Sequence, residues 1–236
     1  MRIHVTYAGG TIGMVDSPGG LRPGADLEGW LRRQLDGIEA SHTVSLSALD
    51  PLIDSSEATP ADWQAIIDDI RAHGSGVDAF VVLHGTDTMA YTSAALSYAL
   101  SDLGRPVVLT GSMLAPEARD SDAADNLYTA VQMSMQLALY RRQGVAVVFD
   151  DVLIHGPRAA KADSRRRHAF VSVDYPLLGE MRDRGQYKIP WLSSKKPKLS
   201  PSRPWESSPL PALERNVAIL PIFPGMPVRL LDAVLD

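Results

Sequence analysis

Apolar residues along this chain follow two alternating rhythms. Short stretches at 3–7, 44–49, 79–83, 107–110 and 145–149 read as apolar runs rather than as strict alternation, which suits strands covered on both faces. Between them lie longer segments with helical spacing. Trp63, Ile66, Ile67 and Ile70 fall at i, i+3, i+4 and i+7, one buried face of a helix. Thr59, Pro60 and Asp62 mark where that helix begins, since a hydroxyl N-cap, proline at the first position and an acid in the first turn all favour initiation. Further helices are expected over 26–34, 89–100 and 123–140. Such alternation predicts an α/β fold, a mostly parallel sheet with helices on both faces.

Beyond Gly185 the pattern changes. Pro190, Pro197, Pro201, Pro204, Pro209 and Pro211 lie among serines and basic residues, the composition of an extended connector. Residues 217–221 then read as a strand and Arg229 onward as the start of a helix. The expected organisation is a main domain over 1–185, a linker over 186–213, and the start of a smaller α/β domain over 214–236 that appears cut short, because some 20 residues make no independent core.

Composition narrows the function classes. The chain has 236 residues, 45% of them hydrophobic and 22% charged, with no cysteine and a formal charge of −5. Disulfides, thiolate metal sites and a cysteine nucleophile are therefore excluded. An acidic balance argues against a nucleic-acid partner, and Arg165-Arg166-Arg167 is too short a run to reverse it. No apolar stretch is long enough for a membrane span, and the start lacks the features of a secretory leader, so a cytoplasmic protein is expected.

Three polar segments follow predicted strands, where an open α/β sheet binds its ligands. Gly9-Gly10-Thr11-Ile12-Gly13 permits a tight turn that presents the Thr11 hydroxyl; it lacks both the phosphate-loop lysine and the dinucleotide glycine spacing. In His84-Gly85-Thr86-Asp87-Thr88 a hydroxyl stands beside a carboxylate, suited to holding an ammonium group or to capping the next helix. His84 reads as a hydrogen-bonded structural residue, with no metal-ligand spacing around it. Asp54-Ser55-Ser56-Glu57 offers hydroxyls and acids fit for the polar ends of an amino acid, or for an ordinary loop. Lys161, in the loop after an apolar run at 152–154, matters only if the fold buries it near Thr86 and Asp87. Burial would favour its basic form, and a nearby carboxylate its charged form.

Together these segments resemble the type I, cytoplasmic-type bacterial L-asparaginases. The likeness is carried by Tyr7-x-Gly9-Gly10-Thr11-Ile12-Gly13-Met14, by Asp54-Ser55-Ser56, and by the block from Leu83 to Thr92. Thr110-Gly111-Ser112, Asn126-Leu127, Lys161-Ala162 and Ile222-Phe223-Pro224-Gly225 continue it. The resemblance implies hydrolysis of L-asparagine, with weaker glutamine activity, through an ester on Thr11. It assigns Thr86, Asp87 and Lys161 to a supporting catalytic group and Ser55 and Ser56 to the α-carboxylate and α-amino groups, with Asp54 and Glu57 in the same binding loop. It implies no cofactor, no metal, and a homodimer or homotetramer. One departure is that Leu21 stands where the family carries a tyrosine that helps activate the threonine. Leu21 and the early chain end keep open a non-catalytic amino-acid-binding paralogue. The amidase subunit of a tRNA-dependent amidotransferase is a minor reading, disfavoured by the acidic balance and by the absence of an RNA-facing module before residue 1.

Overall fold

The structure, a computed structural model, describes residues 1–183 apart from 16, 21, 24–26, 40 and 41, then 186–190, 213, 214, 217, 219–227 and 229. Its elements in chain order are β1 (Arg2–Gly9), β2 (Met14–Val15), β3 (Arg22–Pro23), α1 (Leu27–Glu39), β4 (Thr43–Ile53), α2 (Pro60–Ala72), β5 (Ala79–Leu83) and α3 (Met89–Ala99). They continue with β6 (Pro106–Thr110), α4 (Ala123–Leu139), β7 (Gly144–Phe149), β8 (Val152–His155), β9 (Ala159–Lys161), β10 (Phe170–Ser172), β11 (Gly179–Asp183) and β12 (Gln186–Lys188). Every strand and helix expected from the apolar pattern of the first 149 residues is present.

Eight strands form the main sheet in the order β12-β11-β8-β7-β6-β5-β1-β4. β4, β1, β5, β6 and β7 run parallel, while β8, β11 and β12 extend the sheet antiparallel. Alternate side chains of each central strand enter opposite layers. In β5, Val81 and Leu83 pack into the layer of α1 and α4, and Phe80 and Val82 into that of α2 and α3. Burial on both faces is why β5 and β6 read as unbroken apolar runs. β4 departs from that expectation: it lies on the edge, and its Ser45 is exposed while Val44 and Leu46 are only partly covered.

The antiparallel extension was not legible in the sequence. β7 turns into β8 through Asp150 and Asp151, both at positive φ (45° and 63°), as a two-residue hairpin of the right twist requires. Aspartate tolerates that region, and α4 secures the turn: Asn126 Oδ1 accepts from Asp150 N (3.0 Å) and Thr129 donates to Asp151 Oδ1 (2.9 Å). The sheet also takes in Gln186–Lys188, residues that composition had placed in the linker. That strand is short, polar and half exposed, so no apolar signal marked it.

Adjacent strands β1 and β5 feed helices on opposite faces, α1 and α3. Adjacent strands whose connections diverge in this way mark the edge at which an open α/β sheet places its ligands. Among the described residues no helix is long and apolar enough to cross a membrane. Most of the expected linker, the Leu21 position and the residues beyond Arg229 lie outside the described residues. In the expected strand at 217–221, the described residues are not paired with another strand among the described residues, and Val217 and Ile219 are largely exposed.

The N-terminus of α2 gives a first test. Asp62 Oδ2 accepts from both the amide and the hydroxyl of Thr59, each at 2.7 Å. Thr59→Ala is expected to lower stability by about 1 kcal/mol, read as a lower denaturation midpoint with an unchanged denaturant slope.

Candidate active site

Four loops at the carboxyl edge of the sheet touch through atoms that leave no room for side chains. A Cβ on Gly10 would overlap the backbone of Gly85, and a Cβ on Gly85 would overlap the side chain of Ser55. Likewise a Cβ on Gly111 would strike the His84 carbonyl. The loops after β1, β5 and β6 are therefore packed backbone against backbone, with the Ser55 side chain of the loop after β4 against Gly85. Gly10 also holds φ at 91°, a conformation that glycine adopts without penalty. Thr11 follows Gly10 directly and Thr86 follows Gly85, so both hydroxyl residues leave from this contact.

Thr11 opens a short 3-10 turn (Thr11–Gly13) and is partly buried. Its hydroxyl has no hydrogen-bond partner among the described residues. Below it, the Tyr7 ring fills the space that a side chain on Gly13 would need, and the Tyr7 hydroxyl donates to the Gly10 carbonyl (3.4 Å). Burial pushes that phenol up to about 12, so it serves as a neutral prop.

Opposite Thr11's loop, Lys161 Nζ donates to Thr86 Oγ1 at 2.7 Å and to Asp87 Oδ1 at 2.8 Å. The lysine side chain is 16% exposed and Asp87 59%. Lys161 is not in a loop, as its sequence context had implied. It ends β9, paired with Phe170 of β10 in an antiparallel hairpin, and the two-sided bonding fixes where its stem points. Beside it opens a cleft of about 660 Å³ lined by Ala90, Tyr91, Ala94 and residues of β9. Thr11 does not line this cleft, which flanks the cluster from the α3 side.

The Ser55 loop is tied to the same place. Thr88, at the N-cap position of α3, sends its hydroxyl across to the Ser55 carbonyl (2.7 Å) instead of capping its own helix. Ser55 is buried, and Ser56 is exposed with its amide and hydroxyl both bound to Asp54 Oδ1 at 2.9 Å. Asp54 thus caps the turn Ser55–Glu57, and Glu57 is exposed. Of the expected site residues, the structure joins Thr86, Asp87 and Lys161 directly. It brings Ser55 against Gly85, and it sets Asp54, Ser56 and Glu57 on one exposed turn.

Buried supports complete the arrangement. His84 Nδ1 donates to the Gly85 carbonyl (2.7 Å), and the Thr92 hydroxyl lies 3.0 Å from Nε2. Burial holds its pKa below the usual imidazole range, against the opposing pull of the Gly85 carbonyl and the Asp62 charge. It is the structural histidine the sequence suggested. Asp122 accepts from the amides of Met113 and Leu114, and Asn126 donates to the Gly111 carbonyl (2.9 Å). Sequence reasoning missed the bracing roles of Thr88, Thr92 and Asp122; a buried polar residue one helical turn from a glycine loop is the signal that could have pointed to them.

Comparison with known proteins gives the family and the fold. The family model described as Asparaginase, N-terminal, matches residues 2–194. The chain is 42% identical over 183 residues to L-asparaginase 1 of Escherichia coli (strain K12), covering 75% of this chain and 52% of that protein. Among solved structures, the thermostable L-asparaginase from Thermococcus kodakarensis superposes with a TM-score of 0.78 at 30% identity, covering 99% of this chain and 67% of that one. L-asparaginase I from Vibrio cholerae O1 biovar eltor gives 0.75 at 32%, covering 99% and 68%. The chain spans about half the length of the E. coli protein.

Two outcomes test the loop contact and its support. Gly10→Ala combines a strained φ with overlap of Gly85, so it is expected to cost more than about 1 kcal/mol. Gly20→Ala, also at positive φ (106°) but facing open space, should cost less; equal losses would mean the contact adds nothing. For His84, the unfolded state takes up a proton as pH falls below the ordinary imidazole value of 6.5 and the folded state resists it. Its contribution is present above that pH and is lost as pH falls toward the lower folded value. Melting temperature measured against pH should show this decline, and His84→Gln should flatten it.

Proposed function

The chain belongs to the asparaginase family, matching its amino-terminal domain, and from that premise we propose that it hydrolyses L-asparagine to L-aspartate and ammonia through an ester on Thr11. The observation that carries the reading is the Lys161 amine, largely withdrawn from solvent and bonded to Thr86 and Asp87 beside the loop that presents Thr11. A metal-free amide cleavage needs a nucleophile, a route for its proton and donors for the developing oxyanion.

In this scheme Thr11 Oγ1 attacks the side-chain amide carbon and its proton passes toward the Thr86–Lys161 side of the pocket. The tetrahedral oxyanion collapses, the C–N bond breaks, and nitrogen leaves as ammonia with that proton. Water then attacks the ester, releasing aspartate and restoring the threonine hydroxyl. Ser55 and Ser56 hold the α-carboxylate and α-amino groups, with Asp54 and Glu57 shaping the turn that carries them. Glutamine is a weaker substrate. The residues after the linker begin a second, smaller domain, the protein works in the cytoplasm, and it assembles as a homodimer or homotetramer. The assembly state and the glutamine preference rest on family likeness, and the second domain on the proline-rich composition after Gly185.

Leu21 motivates the competing reading, a paralogue that binds an amino acid without turning it over. Ammonia release from L-asparagine, measured on the protein as its own gene encodes it, separates the two. Thr11→Ala is expected to abolish the rate, and Lys161→Met to lower it by roughly 10²–10⁴-fold. Equal rates for wild type and Thr11→Ala would remove the covalent scheme. Aspartate binding by calorimetry without any turnover would establish the paralogue.

A further inference from the structure

Away from the strand ends, β1 and α2 enclose a polar cluster that the proposed chemistry does not use. His4 is fully buried, and its Nε2 lies 3.3 Å from Asp69 Oδ2. His73, the residue that closes α2, places Nδ1 3.4 Å from the other oxygen, Asp69 Oδ1. The hydroxyls of Thr6 and Ser47 donate to Asp69 Oδ2 at 2.6 and 2.9 Å, and Ser45 Oγ lies 2.8 Å from His4 Nδ1. One candidate ligand atom from each of His4, Asp69 and His73 falls within 4.8 Å of the others.

We infer that His4, Asp69 and His73 form a binding site for a divalent transition metal, with Zn²⁺ the best match. Two imidazoles and one carboxylate suit zinc, copper and nickel over magnesium or calcium, which demand more oxygen. The carboxylate offsets part of the ion's charge, and three protein ligands leave a position for water. Asp69 and His73 stand four apart, on one face at the end of α2. The surrounding hydroxyls do what outer partners of a metal site do. Ser45 holds Nδ1 of His4 and Thr6 and Ser47 orient the carboxylate, so an ion would take the place of the proton that Nε2 shares with Asp69 Oδ2.

A helix cap explains only part of this arrangement. His73 Nδ1 also lies 2.9 Å from the Asp69 carbonyl, which accounts for His73 but not for His4 or the three hydroxyls around it. The two rings stack at 3.9 Å between centroids and 14° between planes, so their lone pairs do not yet converge. Capture of an ion requires the His73 ring to swing off the stack. Its side chain is 43% exposed, so the swing needs rotation about its own side-chain bonds and no shift of the helix.

The sequence alone suggested no metal site, since Asp69-x-x-x-His73 is two ligands and the third comes from a strand 65 residues earlier. Calorimetry with Zn²⁺ on the whole chain, and visible absorption with Co²⁺ in its place, test the inference. One ion per chain is expected, with a higher melting temperature in Zn²⁺. His73→Ala, which removes an exposed ring and leaves the core intact, should abolish both effects. Ser45→Ala should weaken binding roughly 10–100-fold, while His168→Ala, at a separate histidine–carboxylate pair, should change nothing. Absence of stoichiometric binding, binding that survives both His73→Ala and Asp69→Asn, or loss on His168→Ala would each overturn it.

Discussion

Gly10 and Gly85 meet backbone to backbone, and the placement of Thr11 and Thr86 follows from that contact. A parallel sheet brings the ends of β1 and β5 within one strand spacing of each other, about 4.8 Å. Ordinary side chains would still hold the two loops apart by their own bulk. With a Cβ missing on each side, the chains close on one another, and Ser55 closes on Gly85 in turn. Thr11 and Thr86 then emerge from neighbouring points on a rigid floor. Precision here comes from subtraction: atoms left out of three loops do what no added hydrogen bond could.

What the glycines bring together, β9 and β10 complete. Thr86 and Asp87 lie at the start of a helix, where hydroxyls and acids usually cap. Here the ladder between Lys161 and Phe170 carries an amine to them, and the capping role passes to nothing, because the Thr88 hydroxyl is spent on the Ser55 loop. An amine donating to both a hydroxyl and a carboxylate holds them at a fixed separation. Asp87 is the more exposed member of the pair and Lys161 the more sheltered.

The parallel half of the fold was legible because strands buried on both faces must be apolar throughout, as in Val81, Val82 and Leu83, and because α2 announces its start through Thr59, Pro60 and Asp62. Glycine and hydroxyl segments after those strands marked the loops that matter. The antiparallel half was silent. β8 to β12 are short, and several are polar on one face. The turn joining β7 to β8 uses Asp150 and Asp151 at positive φ where a glycine would have signalled it. Lys161 was consequently misplaced in a loop: its position depends on pairing with Phe170, which no local pattern encodes. Thr88 was within the recognised block, yet its bond to Ser55 crosses 33 residues and could be seen only in three dimensions.

The same reasoning makes the His4 cluster the anomaly in this sheet. Ile3, Val5 and Tyr7 of β1 face the α1 layer and behave as a core strand should. His4 and Thr6 face α2, where apolar residues would pack more simply and leave nothing to satisfy. Each polar group there is instead answered: the imidazole by Ser45 and Ser47, the carboxylate by Thr6, Ser47 and His4. Burial works to raise the Asp69 pKa, yet those hydrogen bonds and the His4 charge outweigh it and draw the group below its ordinary value. A carboxylate that accepts from two hydroxyls and lies against two imidazoles, one of them on the surface, is a donor set suited to a cation. A divalent ion would use the carboxylate charge and take a nitrogen lone pair from each ring.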